Sequence, residues 1–194
     1  MVFDGNAAES IAAAADTLRA GELLGLPTET VYGLAADAEN ATAVAKIFRA
    51  KGRPADHPLI VHVLDAQHAQ HFAASVPVFA AQLMQVFWPG PLTLILPRRP
   101  GVAAAAAGGQ DSIGLRSPGH PVAHAVLQAC AQTTPPVLGL AAPSANQFGR
   151  ISPTTAAHVQ GEFGADLMVL DGGACAVGIE STIIDCTRGQ PVLL

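Results

Sequence analysis

Only two lysines, Lys46 and Lys51, one tyrosine, Tyr32, and one tryptophan, Trp88, occur in 194 residues. Charged residues make up 13% of the chain and the net charge is −5, which argues against a generally basic nucleic-acid binder while leaving room for a local basic groove. The three cysteines, Cys130, Cys175 and Cys186, are odd in number and form no CxxC pair, so neither a disulfide framework nor a zinc ribbon is expected and the thiols are read as buried or idle. No apolar run approaches the roughly 20 residues of a membrane span. The opening MVFDGNAAES has neither the basic region nor the apolar run of a signal peptide, so a soluble, cytoplasmic protein with no membrane partner is expected. GxxxxGK[ST], a strand-linked GxGxxG, GxSxG and HExxH are all missing, which excludes a P-loop, a Rossmann dinucleotide site, a hydrolase elbow and a helical zinc site.

Half of the residues are hydrophobic, much of this as alanine, enough for one compact domain over residues 1–194. Ile11, Ala14, Ala15 and Leu18 predict a helix from Ala7 to Ala20, closed by Gly21. ELLGLP reads as a buried strand ending at Pro27, TETVYGL as a turn, and residues 41–51 as a helix with Gly52 at its left-handed cap. PLIVHV predicts a strand. Helices follow at residues 65–73 and 77–87, the second burying Phe79, Leu83, Val86 and Phe87. A proline-rich turn leads into the strand LTLILP, and Pro100 to Gln110 reads as a mobile Ala/Gly loop and candidate lid. Then come the strand DSIGLR, a proline-opened helix from Pro121 to Ala131, the strand VLGLAAPS, a helix from Pro153 to Phe163, the strand DLMVLDGG and a closing hairpin around Arg188-Gly189. Such alternation predicts an α/β fold with one mixed sheet.

Four short segments carry candidate chemistry. Lys51-Gly-Arg53 places a compact charge and a planar fork at a helix end, suited to a triphosphate; taken alone, the cluster fits better as cations complementing the negative end of that helix. PSANQFGRISPT leaves a buried strand at the edge where open α/β sheets hold ligands, with Ser144, Asn146 and Ser152 as donors; a plain turn before a capped helix also fits. IESTIID presents Ser181 and Thr182 ahead of an apolar strand, and Pro27 to Thr30 offers hydroxyls and a carboxylate, or merely a helix cap. His57 and His62 stand five apart, on opposite faces if both are extended. That disfavours a shared metal and favours hydrogen bonds to a small anion. Tyr32 and Trp88 either line a pocket or pack in the core.

In this order, PTETVYGL, KxRP with HPL and its strand, PGPLT, SxGxR, SAN with SPT, and EST resemble the YrdC-like family of threonylcarbamoyl-AMP synthases over nearly the whole chain. The resemblance implies a twisted mixed sheet flanked by helices around a deep central cavity. It also implies the joining of L-threonine, bicarbonate and ATP, with Mg²⁺, for the N6-threonylcarbamoyladenosine modification of tRNA. Its hallmark cluster falls on Lys51, Arg53, Ser144 and Asn146, with His57, Ser112 and Ser152 on the ATP side. Threonine falls to Thr30, His62, Arg116, Ala142 through its backbone, Ser181 and Thr182. Contact with tRNA or double-stranded RNA, and hand-over to a threonylcarbamoyl transferase machinery, complete the implied partners.

Three departures accompany the match. The Arg-Pro-Gly run that commonly follows the closing hairpin, and the second domain of longer relatives, do not appear before Leu194. Phe148 stands where a small polar residue is common. An RNA-binding module using the same cavity is the alternative, disfavoured by net acidity and the lack of interleaved aromatic and basic residues. A carbamoyl-phosphate-handling relative is disfavoured by chain length.

Overall fold

Alternation along the strands sorts side chains into two cores. Leu34, Ala36, Ala141 and Val169 point to one face of the sheet, and their neighbours Ala35, Leu140, Ala142 and Leu170 to the other. The computed structural model describes residues 1–194. Its ten strands form one mixed sheet in the order β1-β8-β2-β3-β7-β4-β6-β5-β9-β10. They are β1 (Val2–Asp4), β2 (Leu24–Leu26), β3 (Gly33–Asp37), β4 (Val61–His62), β5 (Leu92–Pro97), β6 (Ser112–Arg116), β7 (Leu140–Ala141), β8 (Met168–Asp171), β9 (Thr182–Asp185) and β10 (Val192–Leu193). Parallel pairs β1–β8, β2–β8, β4–β6 and β5–β9 mix with antiparallel neighbours such as β2–β3 and β5–β6.

Helices α1 (Ala8–Arg19) and α5 (Pro121–Ala131) cover one face. Helices α2 (Ala41–Lys51), α3 (Ala66–Phe72), α4 (Val78–Phe87) and α6 (Ala156–Phe163) join the other core. The α/β class, the mixed sheet and the closing β9–β10 hairpin match the expectation. Asn40 caps α2 by accepting from Thr42 and Ala43 N–H, and Gly52 ends it at φ 63°, a conformation that costs glycine nothing. Gly25 lets α6 approach the sheet, since a Cβ there would lie 3.2 Å from Val159 Cγ1 of α6, and 2.9 Å from Val169 Cγ2 of the adjacent β8.

Several details differ from the sequence expectation. β1 and β3 were not anticipated: β1 is three residues long, and GLAAD lacks the β-branched and aromatic signal of a strand, so tertiary pairing sets it. The strand expected over residues 58–63 shortens to Val61–His62, because Leu59 N–H turns away to the Ala106 carbonyl. In α4 the buried residues are Ala80 and Met84, while Val86 and Phe87 are 71% and 53% exposed. The chain turns at Trp88, whose ring takes the core position and whose Nε1 donates to the Leu92 carbonyl. Helix α6 starts after Thr155, which accepts from His158 N–H; Pro153 is buried instead and its carbonyl receives Tyr32 N–H. The expected mobile lid at residues 100–110 is a packed turn. Ala103, Ala106 and Ala107 are fully covered, because side chains this small let the backbone lie on the core.

Candidate active site

Side chains from five segments meet where β2, β6 and β7 end. The turn after β2 is held by its own hydroxyls: Thr28 Oγ1 donates to the Val31 carbonyl at 2.6 Å and lies 3.0 Å from Thr30 Oγ1. The chain then docks on the Ser-Ala-Asn turn, with Ala145 N–H on the Tyr32 carbonyl and Leu34 N–H on the Pro143 carbonyl. Tyr32 is fully buried, its hydroxyl donating to the Gly173 carbonyl, and burial raises its pKa to about 12. It packs and does not line the site.

Lys51, 3% exposed, leaves the end of α2 and sends its ammonium to the backbone carbonyls of Ser144 and Asn146. Phe148 N–H returns to the Lys51 carbonyl. Burial, reinforced by the neighbouring Arg53, lowers the Lys51 pKa to about 8. Arg53 is half-buried, donates to the Pro58 carbonyl at 3.2 Å and sits 5.9 Å over the Phe148 ring; burial lowers its pKa too. His57 is exposed and packs edge-on against Phe148 at 5.8 Å.

His62 and Arg116 are partners in the β4–β6 ladder, so both side chains rise on the same face. His62 is buried, and burial together with Arg116 pushes its pKa down to about 3, so the imidazole is neutral. Arg116, 3% exposed, donates from Nε to Gly90 O at 3.2 Å, from one terminal nitrogen to Thr30 Oγ1 at 2.9 Å, and from the other to Glu29 Oε1 at 2.6 Å.

Two adjoining hollows stand in place of one deep cavity. The first, about 50 Å³, is lined by Thr30, His62, Arg116, Ala142, Ser144 and Ser181, with Thr28 and Glu180 at its edges. The second, about 240 Å³, has Arg53 and Ser112 among the apolar residues Leu59, Ile60, Ile95 and Ile183. Ile60 is their common wall, and Ser181 of the first lies 2.8 Å from Thr93 of the second. Four buried polar atoms find no partner in the chain: Glu29 Oε2, Arg53 Nε, His62 Nδ1 and Asn146 Oδ1. Arg53 and His62 line these hollows, Glu29 pairs with Arg116 beside them, and Asn146 sits in the turn held by Lys51, so unpartnered polar atoms gather around this region. A larger hollow of about 570 Å³ opens elsewhere, by Met84, Trp88 and His124, but none of the four atoms borders it.

The structure thus brings together most of the residues singled out from sequence. Thr182 is apart: it is exposed and lines neither hollow, whereas Ser181 beside it does. Ser152 donates to Glu180 at 2.6 Å and sits at the rim. Asn146 is folded into its own turn, its amide donating to the Gln147 and Arg150 carbonyls. Sequence reasoning gives Glu29 and Glu180 no role in the site. The carboxylate of the Pro27–Thr30 turn was visible as a residue type, but only the fold pairs it with Arg116.

A sheet-edge pocket with a buried arginine, a neutral histidine and paired hydroxyls thus adjoins a hollow with a second arginine on one α/β sheet. The chain belongs to the Sua5/YciO/YrdC family, described as telomere recombination, whose model matches residues 16–194. It is 44% identical over 182 residues to the threonylcarbamoyl-AMP synthase of Pyrococcus abyssi, covering 93% of this chain and 52% of that one. It is 44% identical over 186 residues to the synthase of Bacillus subtilis, covering 95% and 52%. The crystal structure of P. abyssi Sua5 complexed with L-threonine superposes with a TM-score of 0.89 at 44% identity, over 95% of this chain and 53% of that one. The chain therefore spans about half the length of these relatives. No helix is long and apolar enough to cross a membrane.

Proposed function

We propose that the protein is an L-threonylcarbamoyladenylate synthase, joining L-threonine, bicarbonate and ATP into threonylcarbamoyl-AMP with release of pyrophosphate. The observation that carries this reading is Arg116. Three of its five N–H donors are engaged, so each terminal nitrogen keeps one for a carboxylate, in a pocket shared with Thr30, His62 and Ser181. Identity of 44% to a protein crystallised with L-threonine supports that ligand.

In this reading Thr30, His62, Arg116, Ala142 and Ser181 form the threonine end, and Thr182, exposed beside Ser181, stands outside it. Lys51, Arg53, His57, Ser112, Ser144, Asn146 and Ser152 form the ATP end. Threonine's amine adds to the bicarbonate carbon to give a carbamate with loss of water. A carbamate oxygen then attacks the α-phosphorus, and the bond to pyrophosphate breaks. Both partners are anions, so the residues act by position and charge, and no side-chain nucleophile is needed. Arg53 can turn its free Nε–H toward a phosphate, while Lys51 holds the Ser144–Asn146 turn in shape and adds its field. His62, being neutral, offers a ring nitrogen without adding charge.

No group of three or more His, Cys, Asp or Glu side chains forms a metal cage. Mg²⁺ therefore fits as the cation that ATP brings, with phosphate and water as its main ligands and Glu180 the carboxylate at the rim. We place the reaction in the cytoplasm, with the adenylate passed to a threonylcarbamoyl transferase acting on tRNA. The test incubates the full chain with ATP, Mg²⁺, bicarbonate and L-threonine. Threonine-dependent pyrophosphate release supports the assignment; release independent of threonine refutes it.

A further inference from the structure

We propose that Glu29 is a positioning and selectivity residue: by pairing with Arg116 it offsets the buried cation of the pocket, so the pocket takes a net-neutral zwitterionic α-amino acid and turns away the corresponding carboxylate anion. The proposal rests on the reading of this pocket as the amino-acid end of the site.

The geometry begins with the carboxylate. Glu29 lies between Thr28 and Thr30, both of which line the pocket, and its Oε1 takes a terminal N–H of Arg116 at 2.6 Å. The side chains are 15% and 4% exposed, so water screens the pair weakly. Backbone bonds fix the segment, with Val177 N–H on the Glu29 carbonyl and Gly178 N–H on that of Thr30. Together with Gly90 O and Thr30 Oγ1, Glu29 orients the guanidinium and leaves its two remaining N–H groups as a fork.

Charge decides what that fork accepts. An unpaired buried arginine would attract any small carboxylate. Here Glu29 cancels it, and His62 contributes no charge. Glu180 also lines the pocket, but it is exposed, so water screens its charge far more than that of Glu29, and Lys51 is turned to the Ser144 and Asn146 carbonyls. A simple carboxylate therefore enters a pocket whose positive charge is already offset. A zwitterion brings an ammonium of its own, and that charge is favoured by the Glu29 field. Glu29 Oε2 is buried and meets no donor in the chain, so part of the carboxylate is uncommitted to Arg116.

The test is calorimetric, on the full chain, comparing L-threonine with 2,3-dihydroxybutanoate of matching configuration, which replaces the ammonium by a hydroxyl. The wild type is expected to prefer threonine at least tenfold. In Glu29→Gln the amide oxygen still accepts from Arg116 but the charge is gone. The preference should fall at least tenfold, with the dihydroxy acid binding more tightly than to wild type and ATP affinity within twofold. Glu29→Asp should keep the preference with weaker binding of both. An unchanged preference in Glu29→Gln, or equal affinity for the two ligands in the wild type, overturns the proposal. If Glu29→Gln does not fold by thermal melting, the wild-type comparison and Glu29→Asp decide, with loss of the preference in Glu29→Asp counting against it. A wild type that binds neither ligand overturns the reading of the pocket itself, a result distinct from the failure of Glu29 alone.

Discussion

Lys51 Nζ donates to the Ser144 carbonyl at 2.5 Å, tying the end of α2 to the turn that follows β7 across 93 residues of sequence. The lysine that sequence alone presents as a phosphate ligand is thus also a strut. Lys51→Ala should leave the buried Asn146 carbonyl without a donor, and the Ser144 carbonyl with Asn146 N–H alone, and cost about 1–3 kcal/mol of stability as well as ATP affinity. Arg53→Ala should lose ATP affinity with little change in stability, because Arg53 is half-exposed and holds only the Pro58 carbonyl. Thermal melts beside ATP titrations check both; a Lys51→Ala melting temperature equal to wild type would remove the strut.

Arg116→Ala should weaken threonine binding by about 10- to 100-fold, the range of a charge-assisted hydrogen bond, and affect ATP binding less. It also strands the buried Glu29 carboxylate, a loss of about 3–5 kcal/mol, so binding is best measured well below the melting transition. Calorimetry showing ATP affected more than threonine contradicts the assignment.

Ser181 and Thr182 separate the fold from the motif. Ser181→Ala should weaken threonine binding, since its hydroxyl lines the pocket and meets Thr93 at 2.8 Å. Thr182→Ala should change it by less than about twofold, within the usual range of surface substitutions. The reverse order would mean that the β9 register differs from the one described.

His62 predicts an acid limb. Its folded pKa is lowered to about 3, mainly by burial and then by Arg116. Between that value and the unfolded pKa of about 6.5 the unfolded chain binds the extra proton. Stability is therefore full above the upper value and falls as pH drops below it, by up to about 1.4 kcal/mol per pH unit from this group. Melts from neutral to acid pH should show a shallower loss in His62→Gln than in wild type. Parallel curves would assign the limb to other groups.

Much of this was legible in sequence because the signals are local. Gly52 after an amphipathic run marks the end of α2, and Pro121 the start of α5, and both boundaries stand where expected. The sheet's middle was not. β3 is an alanine-rich strand whose pairing with β2 and β7 decides its conformation, and no local propensity reports that. The same holds within the site. Lys51, Ser144 and Asn146 could be named from motifs, but not that the ammonium faces their carbonyls. Glu29 lay in a quoted motif with nothing to connect it to a residue 87 positions away. The packed alanine turn at residues 100–110 misled in the opposite sense, since a run without a periodic face can still cover a core.

The central claim is most directly tested by carbon transfer. Radiolabelled bicarbonate, ATP, Mg²⁺ and L-threonine are incubated with the full chain, and label is followed into an AMP adduct by chromatography. The account predicts label in that adduct only when threonine and ATP are both present, with pyrophosphate formed in equal amount. Pyrophosphate without labelled adduct, or label that does not require threonine, would contradict it.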